Sequence, residues 1–264
     1  METNCTKTDF LGFETLRLQA GPYEAVVLPE QGGNLISLRH TELGYSFIRC
    51  PSADERDVFT AHPARYGIPI LFPPNRIDRG EFQFGGKSYR FPVNEPQNGN
   101  HIHGLFLRAA WPVAACGTEM DSGGRECAYA ELAQRVDESH EAFSLFPHRF
   151  EFRIRYTLSE QGLRQDVHVL NFDSAPMPVM LGFHTAFFAP FSERSAPDDV
   201  TVKITIGRRW EIGERMLPTG RLLELDEAER RLRETGMAPH ARKWGDYYTA
   251  EDDGGDDDGA DQED

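Results

Sequence analysis

The sequence predicts an all-β protein, specifically a large antiparallel β-sandwich. Three features support this: short runs in which apolar and polar residues alternate, Gly- and Pro-rich turns between them, and 18 phenylalanines. Strands at short intervals are typical of sandwiches and barrels, and phenylalanine is enriched in strands. A chain of 264 residues is long enough to bury a substantial core.

The first predicted strands lie near the N-terminus. Residues 24–28 and 34–38 are short β-runs, and Gln31-Gly-Gly33 between them is a turn signal. Residues 81–91 form a predicted hairpin, because two alternating runs flank Gly85-Gly86, which tolerate the positive φ of a tight turn.

The second half of the chain continues this pattern. Residues 152–158 and 163–169 form a predicted antiparallel pair, with aromatic and aliphatic side chains on one face and Arg or Thr on the other. Residues 201–206 predict one more strand. The one predicted helix spans residues 226–235 and ends at Gly236; its polar composition predicts a surface position.

The charge pattern separates the body of the chain from its end. Nine of the fourteen residues 251–264 are acids, and they account for more than half of the net charge of −15. We therefore expect one β-sandwich domain over residues 1–250 and a disordered acidic tail over 251–264. An acidic body also argues against a nucleic-acid partner.

Cysteine usage and hydropathy predict a soluble, cytoplasmic protein. The four cysteines lack CxxC spacing, so free thiols in a reducing compartment are expected. Residues 1–12 lack the apolar region of a signal peptide, and no stretch approaches the roughly 18 apolar residues of a membrane span.

Three segments contain residues that could take part in binding or catalysis. In the first, residues 67–77, an apolar run stops at Pro73-Pro74 and leads to Asn75 and Arg76. Arg76 is either a solvated residue at a strand end or a guanidinium held rigidly toward oxygen acceptors.

The second segment, residues 94–104, contains His101 and His103, which would face the same side of an extended chain. Such a pair is found in metal-binding cupins. However, Leu107 and Arg108 occupy the positions where a cupin has its glutamate, so we expect no metal site. A histidine in a Gly-bounded loop is otherwise a candidate acid or base.

The third segment, residues 178–188, places His184 in an apolar run between Phe183 and Phe187. His184 is either a core histidine or a site residue whose pKa is shifted by burial.

Together these segments resemble the aldose 1-epimerase (galactose mutarotase) family. The matching pieces, in order, are Pro73-Pro-Asn-Arg-Ile77, a Gly-punctuated hairpin, residues 94–104 and Gly182-Phe-His184, within a resemblance that covers residues 14–249. The resemblance implies a large antiparallel β-sandwich with a sugar site in a groove on one face.

The resemblance also implies roles for individual residues. Arg76 and Asp246 would bind sugar hydroxyl groups, His103 would lie beside the ring oxygen, and His184 would be the general acid. The implied activity is cofactor-free, metal-free interconversion of the α- and β-anomers of an aldose. The implied partner is a small-molecule sugar, whose identity and phosphorylation state stay open, as does the oligomeric state.

The family's general base is a glutamate some tens of residues beyond that aspartate. Eighteen residues follow Asp246, and neither Glu251 nor Glu263 lies in a strand pattern. We therefore identify no base. Two hypotheses follow: a C-terminally truncated enzyme, or a sugar-binding or regulatory relative without turnover.

Overall fold

The computed structural model describes residues 2–243 and 245–250, and these residues fall into two compact units that divide between Ser192 and Glu193. The predicted disordered tail, residues 251–264, lies outside the described residues. Among the helices of the described segments, none has the length and apolar character needed to cross a membrane.

The first unit consists mainly of antiparallel strands. In chain order they are β1 (Asn4–Phe10), β2 (Phe13–Ala20), β3 (Tyr23–Leu28), β4 (Asn34–His40), β5 (Tyr45–Ser46), β6 (Ile70–Leu71), β7 (Arg76–Asp78), β8 (Glu81–Phe84), β9 (Lys87–Arg90), β10 (Asn100–Ile102), β11 (Val113–Met120), β12 (Glu126–Val136), β13 (Phe150–Ser159), β14 (Gly162–Asn171) and β15 (Gly182–Phe183). Its helical elements are the helix α1 (Arg56–Ala61) and the 3₁₀ turns Ala53–Glu55, Pro63–Arg65 and Glu141–Ser144.

Two larger sheets form the body of this unit. Strands β1 to β5 follow one another in the first sheet, and β11 to β14 do so in the second. Leu18 and Val27 of the first sheet and Leu132 and Phe152 of the second are fully buried in one shared apolar core. The predicted antiparallel β-sandwich is therefore confirmed.

The alternation along β13 is as predicted. Phe152, Ile154, Tyr156 and Leu158 have no exposed surface, whereas the residues between them are partly exposed. Full burial of such side chains stabilises the fold by about 1.5–3 kcal/mol each. The hairpin of β8 and β9 is also confirmed, and Gly85-Gly86 have φ values of +56° and +75°.

Helix α1 was not predicted from the sequence. It has six residues, of which only Phe59 is buried. A helix this short shows too few turns for a 3.6-residue period to be recognised.

The second unit contains β16 (Ile206–Ile212), β17 (Pro218–Leu223), α2 (Glu227–Glu234), β18 (Tyr247–Ala250) and a 3₁₀ turn, Pro197–Asp199. Its three strands pair in the order β17-β16-β18. Its described core comprises Ile206, Leu225 and Leu232.

Two predictions for this unit need correction. The strand predicted over residues 201–206 starts only at Ile206, because the backbone before it pairs elsewhere: Ile204 N donates to Leu232 O at the end of α2. Helix α2 itself is confirmed, with Asp226 as its N-cap. Its predicted surface position is wrong for one side, since Glu229 is completely buried.

Candidate active site

Residues 69–78 are the scaffold of the candidate site. On one side, β6 pairs with β15, and His184 N donates to Pro69 O at 3.1 Å. On the other side, β7 pairs with β10, and His103 N donates to Asn75 O at 3.0 Å. This single segment therefore brings Arg76, His103 and His184 together from distant parts of the chain.

Gly104 fixes the position of the loop that carries His103. Its φ is +74°, and an added Cβ would lie 2.3 Å from the carbonyl carbon and oxygen of Phe72. Leu105 N donates to the same Phe72 oxygen at 3.0 Å. Only glycine allows both the left-handed conformation and this close approach. The loop therefore packs directly against the backbone of Phe72 and Pro73.

The two imidazole rings of the predicted site are neighbours. The ring centroids of His103 and His184 lie 5.6 Å apart, and the ring planes meet at 67°. His184 is exposed to solvent, so the expected burial of this residue is wrong, and so is the alternative of a core histidine. His184 directly follows β15, whose last residue, Phe183, is exposed as well.

His103 is the more enclosed member of the pair. Burial is the main factor that lowers its pKa, to about 4, and the nearby His184 and Arg76 act in the same direction. Its Nδ1 is buried and has no hydrogen-bond partner among the described residues. At neutral pH the imidazole of His103 is therefore uncharged.

His101 has a separate environment. It is buried against Phe91, with ring centroids 5.0 Å apart, and its Nδ1 lies 2.8 Å from Pro92 O. The expectation that His101 and His103 face the same side fails, because β10 ends at Ile102 and His103 has a φ of +66°. Across the described residues, no three His, Cys, Asp or Glu side chains are placed to hold a metal ion.

Arg76 is held by a carboxylate that the sequence analysis gave no role. Its Nε donates to Glu95 Oε2 at 2.8 Å, and its Nη2 donates to Oε1 at 2.7 Å. The side chains of Arg76 and Glu95 are 15% and 7% exposed. Glu95 lies in residues 94–104, the segment that carries His103. Its position in the sequence did not indicate which basic side chain it would pair with.

Asn94 shapes the same loop. Its side-chain Oδ1 accepts from Ile102 N at 2.7 Å, and its Nδ2 donates to Ile102 O at 2.9 Å. The amide group thus takes the place of a neighbouring strand at the end of β10, immediately before His103.

Asp246 belongs to the second unit. Its Oδ2 accepts from Arg242 Nη2 at 3.2 Å and from Tyr248 OH at 3.5 Å. Tyr248 OH also donates to the buried Glu229 at 2.9 Å. Asp246 is therefore part of a polar network within its own unit.

A comparison with protein families identifies the chain. The model of the aldose 1-epimerase family matches residues 14–248. This protein belongs to the aldose 1-epimerase family. The expected family is thereby confirmed.

Solved structures support the fold of this aldose 1-epimerase family member. A galactose mutarotase-like protein from Clostridium acetobutylicum is 34% identical, with a TM-score of 0.86 over 94% of this chain and 72% of its own. A putative aldose 1-epimerase from Escherichia coli K12 is 16% identical, with a TM-score of 0.56 over 79% of this chain and 61% of its own, which shows the fold alone.

A curated relative matches over a shorter stretch. The uncharacterized protein YihR of Escherichia coli K12 is 31% identical over 101 residues. The match spans 38% of this chain and 30% of YihR.

Proposed function

We propose that this protein interconverts the α- and β-anomers of an aldose by acid–base opening of the sugar ring. The observation that supports this most directly is the contact between His103 and His184 beside Arg76, in a member of the aldose 1-epimerase family. Ring opening requires a proton donor at the ring oxygen and groups that hold the hydroxyls, and these residue types provide both functions.

The different environments of the two histidines support different roles. His103 is enclosed and uncharged at neutral pH, so it suits a hydrogen bond to the sugar near the ring oxygen. His184 is exposed, so a sugar can reach its ring, and an imidazole suits the role of general acid. Arg76 would bind hydroxyl oxygens, and Asp246 is retained as a proposed hydroxyl ligand from the family resemblance.

The proton on the C1 hydroxyl also needs an acceptor. Glu95 is the carboxylate that acts on His103, but Arg76 lowers the pKa of Glu95 and holds both of its oxygens. A carboxylate so engaged is a weak base. This observation favours a second candidate function, in which the chain binds a sugar without turnover. Glu251 and Glu263 lie outside the described residues.

The test combines polarimetry on freshly dissolved α-glucose or α-galactose with calorimetric titration of the same sugars. An enzyme would accelerate the change in rotation, and His184→Ala would lower kcat by about 10²–10⁴-fold. The matched control is His168→Ala, which removes an exposed histidine from β14. Binding without acceleration would support the second candidate. Rapid turnover that survives His184→Ala would contradict the proposed chemistry.

The partner that we propose is a small-molecule sugar, with no cofactor. We also propose a cytoplasmic location, supported by four cysteines that are all free. The net charge of −15 argues against binding to nucleic acid.

A further inference from the structure

The pairing of Arg76 with Glu95 removes the net charge from the candidate site. Three N–H···O contacts of 2.7–3.1 Å join the two groups in a side-by-side, bidentate arrangement. Both side chains are largely shielded from water, so salt screens the pair less than it screens an ion pair on the surface.

The other groups around His103 do not restore a positive charge. Among the groups that act most strongly on His103, the fully charged ones are Arg76 and Glu95, which have opposite signs. The next charged residues along the chain are Asp78, at the end of β7, and Arg79 directly after it; they again have opposite signs, and Arg79 Nε lies 4.0 Å from Asp78 Oδ1. The chain as a whole has a net charge of −15, which disfavours the approach of an anion.

A sugar phosphate would need a different arrangement. Phosphate binds best to a planar guanidinium that offers two parallel N–H groups, or to several converging cations. In this site the Nε and Nη2 groups of Arg76 already point at Glu95. A phosphate brought beside this pair would also meet the carboxylate, and two anions in a shielded site repel each other strongly.

From this geometry we infer that Glu95 is a specificity-determining residue, which makes the site select uncharged aldoses over sugars that carry a phosphate or carboxylate group. This inference rests on the proposed function of the same site. It gives Glu95 two tasks: it holds the guanidinium of Arg76 in place, and it cancels the charge of that guanidinium.

The experiment compares galactose with galactose 6-phosphate. Both Kd, from calorimetry, and kcat/KM, from polarimetry, are measured for the wild type, for Glu95→Gln, and for the double variant Arg76→Gln/Glu95→Gln. The matched control is Glu81→Gln, which breaks an exposed Arg–Glu pair of 3.0 Å in the nearby hairpin. Circular dichroism establishes that each variant is folded.

We expect the wild type to bind the uncharged sugar at least about tenfold more tightly than the phosphate ester. In Glu95→Gln this preference, measured as the ratio of the two dissociation constants, should shift toward the phosphate ester by about tenfold or more. The reason is that the charge of Arg76 is no longer cancelled. The double variant should return the ratio toward the wild-type value, and Glu81→Gln should leave it unchanged.

Three results would overturn the inference. Equal affinity of the wild type for both sugars would do so without using any variant, and would leave the proposed function intact. An unchanged ratio in folded Glu95→Gln would show that Glu95 does not set the preference. Failure of the wild type to bind either sugar would overturn the proposed function, and the inference with it.

Discussion

Replacing His103 by glutamine tests the assignment of an enclosed, uncharged imidazole. The pKa of His103 is about 4 in the folded protein, against an ordinary value of 6.5. Between these two values the unfolded chain binds a proton that the folded protein does not, so folding becomes less favourable as the pH falls. The full contribution is present above pH 6.5 and is lost progressively between pH 6.5 and pH 4.

The size of this effect follows from the difference in pKa. A difference between 6.5 and about 4 corresponds to roughly 3 kcal/mol of unfolding free energy. The wild type should therefore lose roughly 3 kcal/mol more stability than His103→Gln when the pH is lowered from 7 to 4. Other buried histidines, such as His148, contribute equally to both proteins and cancel in the comparison.

Urea denaturation at several pH values between 7 and 4, followed by circular dichroism, measures this difference. His168→Gln is the control, because it removes an exposed imidazole from a β-strand of the same unit. If the wild type and His103→Gln lost stability in parallel, the imidazole of His103 would not be enclosed as described, and its role as an uncharged hydrogen-bonding group would have to be abandoned.

Two further predictions concern the loops that position this residue. Gly104→Ala should destabilise the fold by at least about 2 kcal/mol in urea denaturation, because the new methyl group would lie 2.3 Å from the Phe72 carbonyl. The control is Gly44→Ala, where φ is also positive but no atom lies within 4 Å of the added Cβ. Asn94→Ala should cost about 1–3 kcal/mol, because Ile102 loses both of its hydrogen bonds to the side chain. An unchanged unfolding midpoint in Asn94→Ala would show that water replaces these bonds.

The sequence was most informative where local patterns determine structure. Alternation along residues 152–158 predicted which side chains enter the core, since the period of a strand is two residues and one face is buried. Gly85-Gly86 predicted a tight turn, and Asp226 with Gly236 delimited helix α2. The short helix α1 and the true start of β16 were missed, because neither has a long enough local signal.

For the candidate site, the sequence identified the residues but not their environments. It selected Arg76, His103 and His184, and the pairing of residues 69–78 with two other segments brings them together. Local patterns do not encode solvent exposure at the end of a strand, so His184 was expected in the interior but lies at the surface.

The partner of Arg76 was decided only by the tertiary structure. Nineteen positions separate Arg76 from Glu95, and the β8–β9 hairpin lies between them. The two side chains meet because β7 and β10 pair in register and the loop before β10 folds back on itself, with Glu95 N donating to Asn100 O. Sequence determines which charges are available, but the electrostatics of a site depend on distances and burial, which only the folded chain defines.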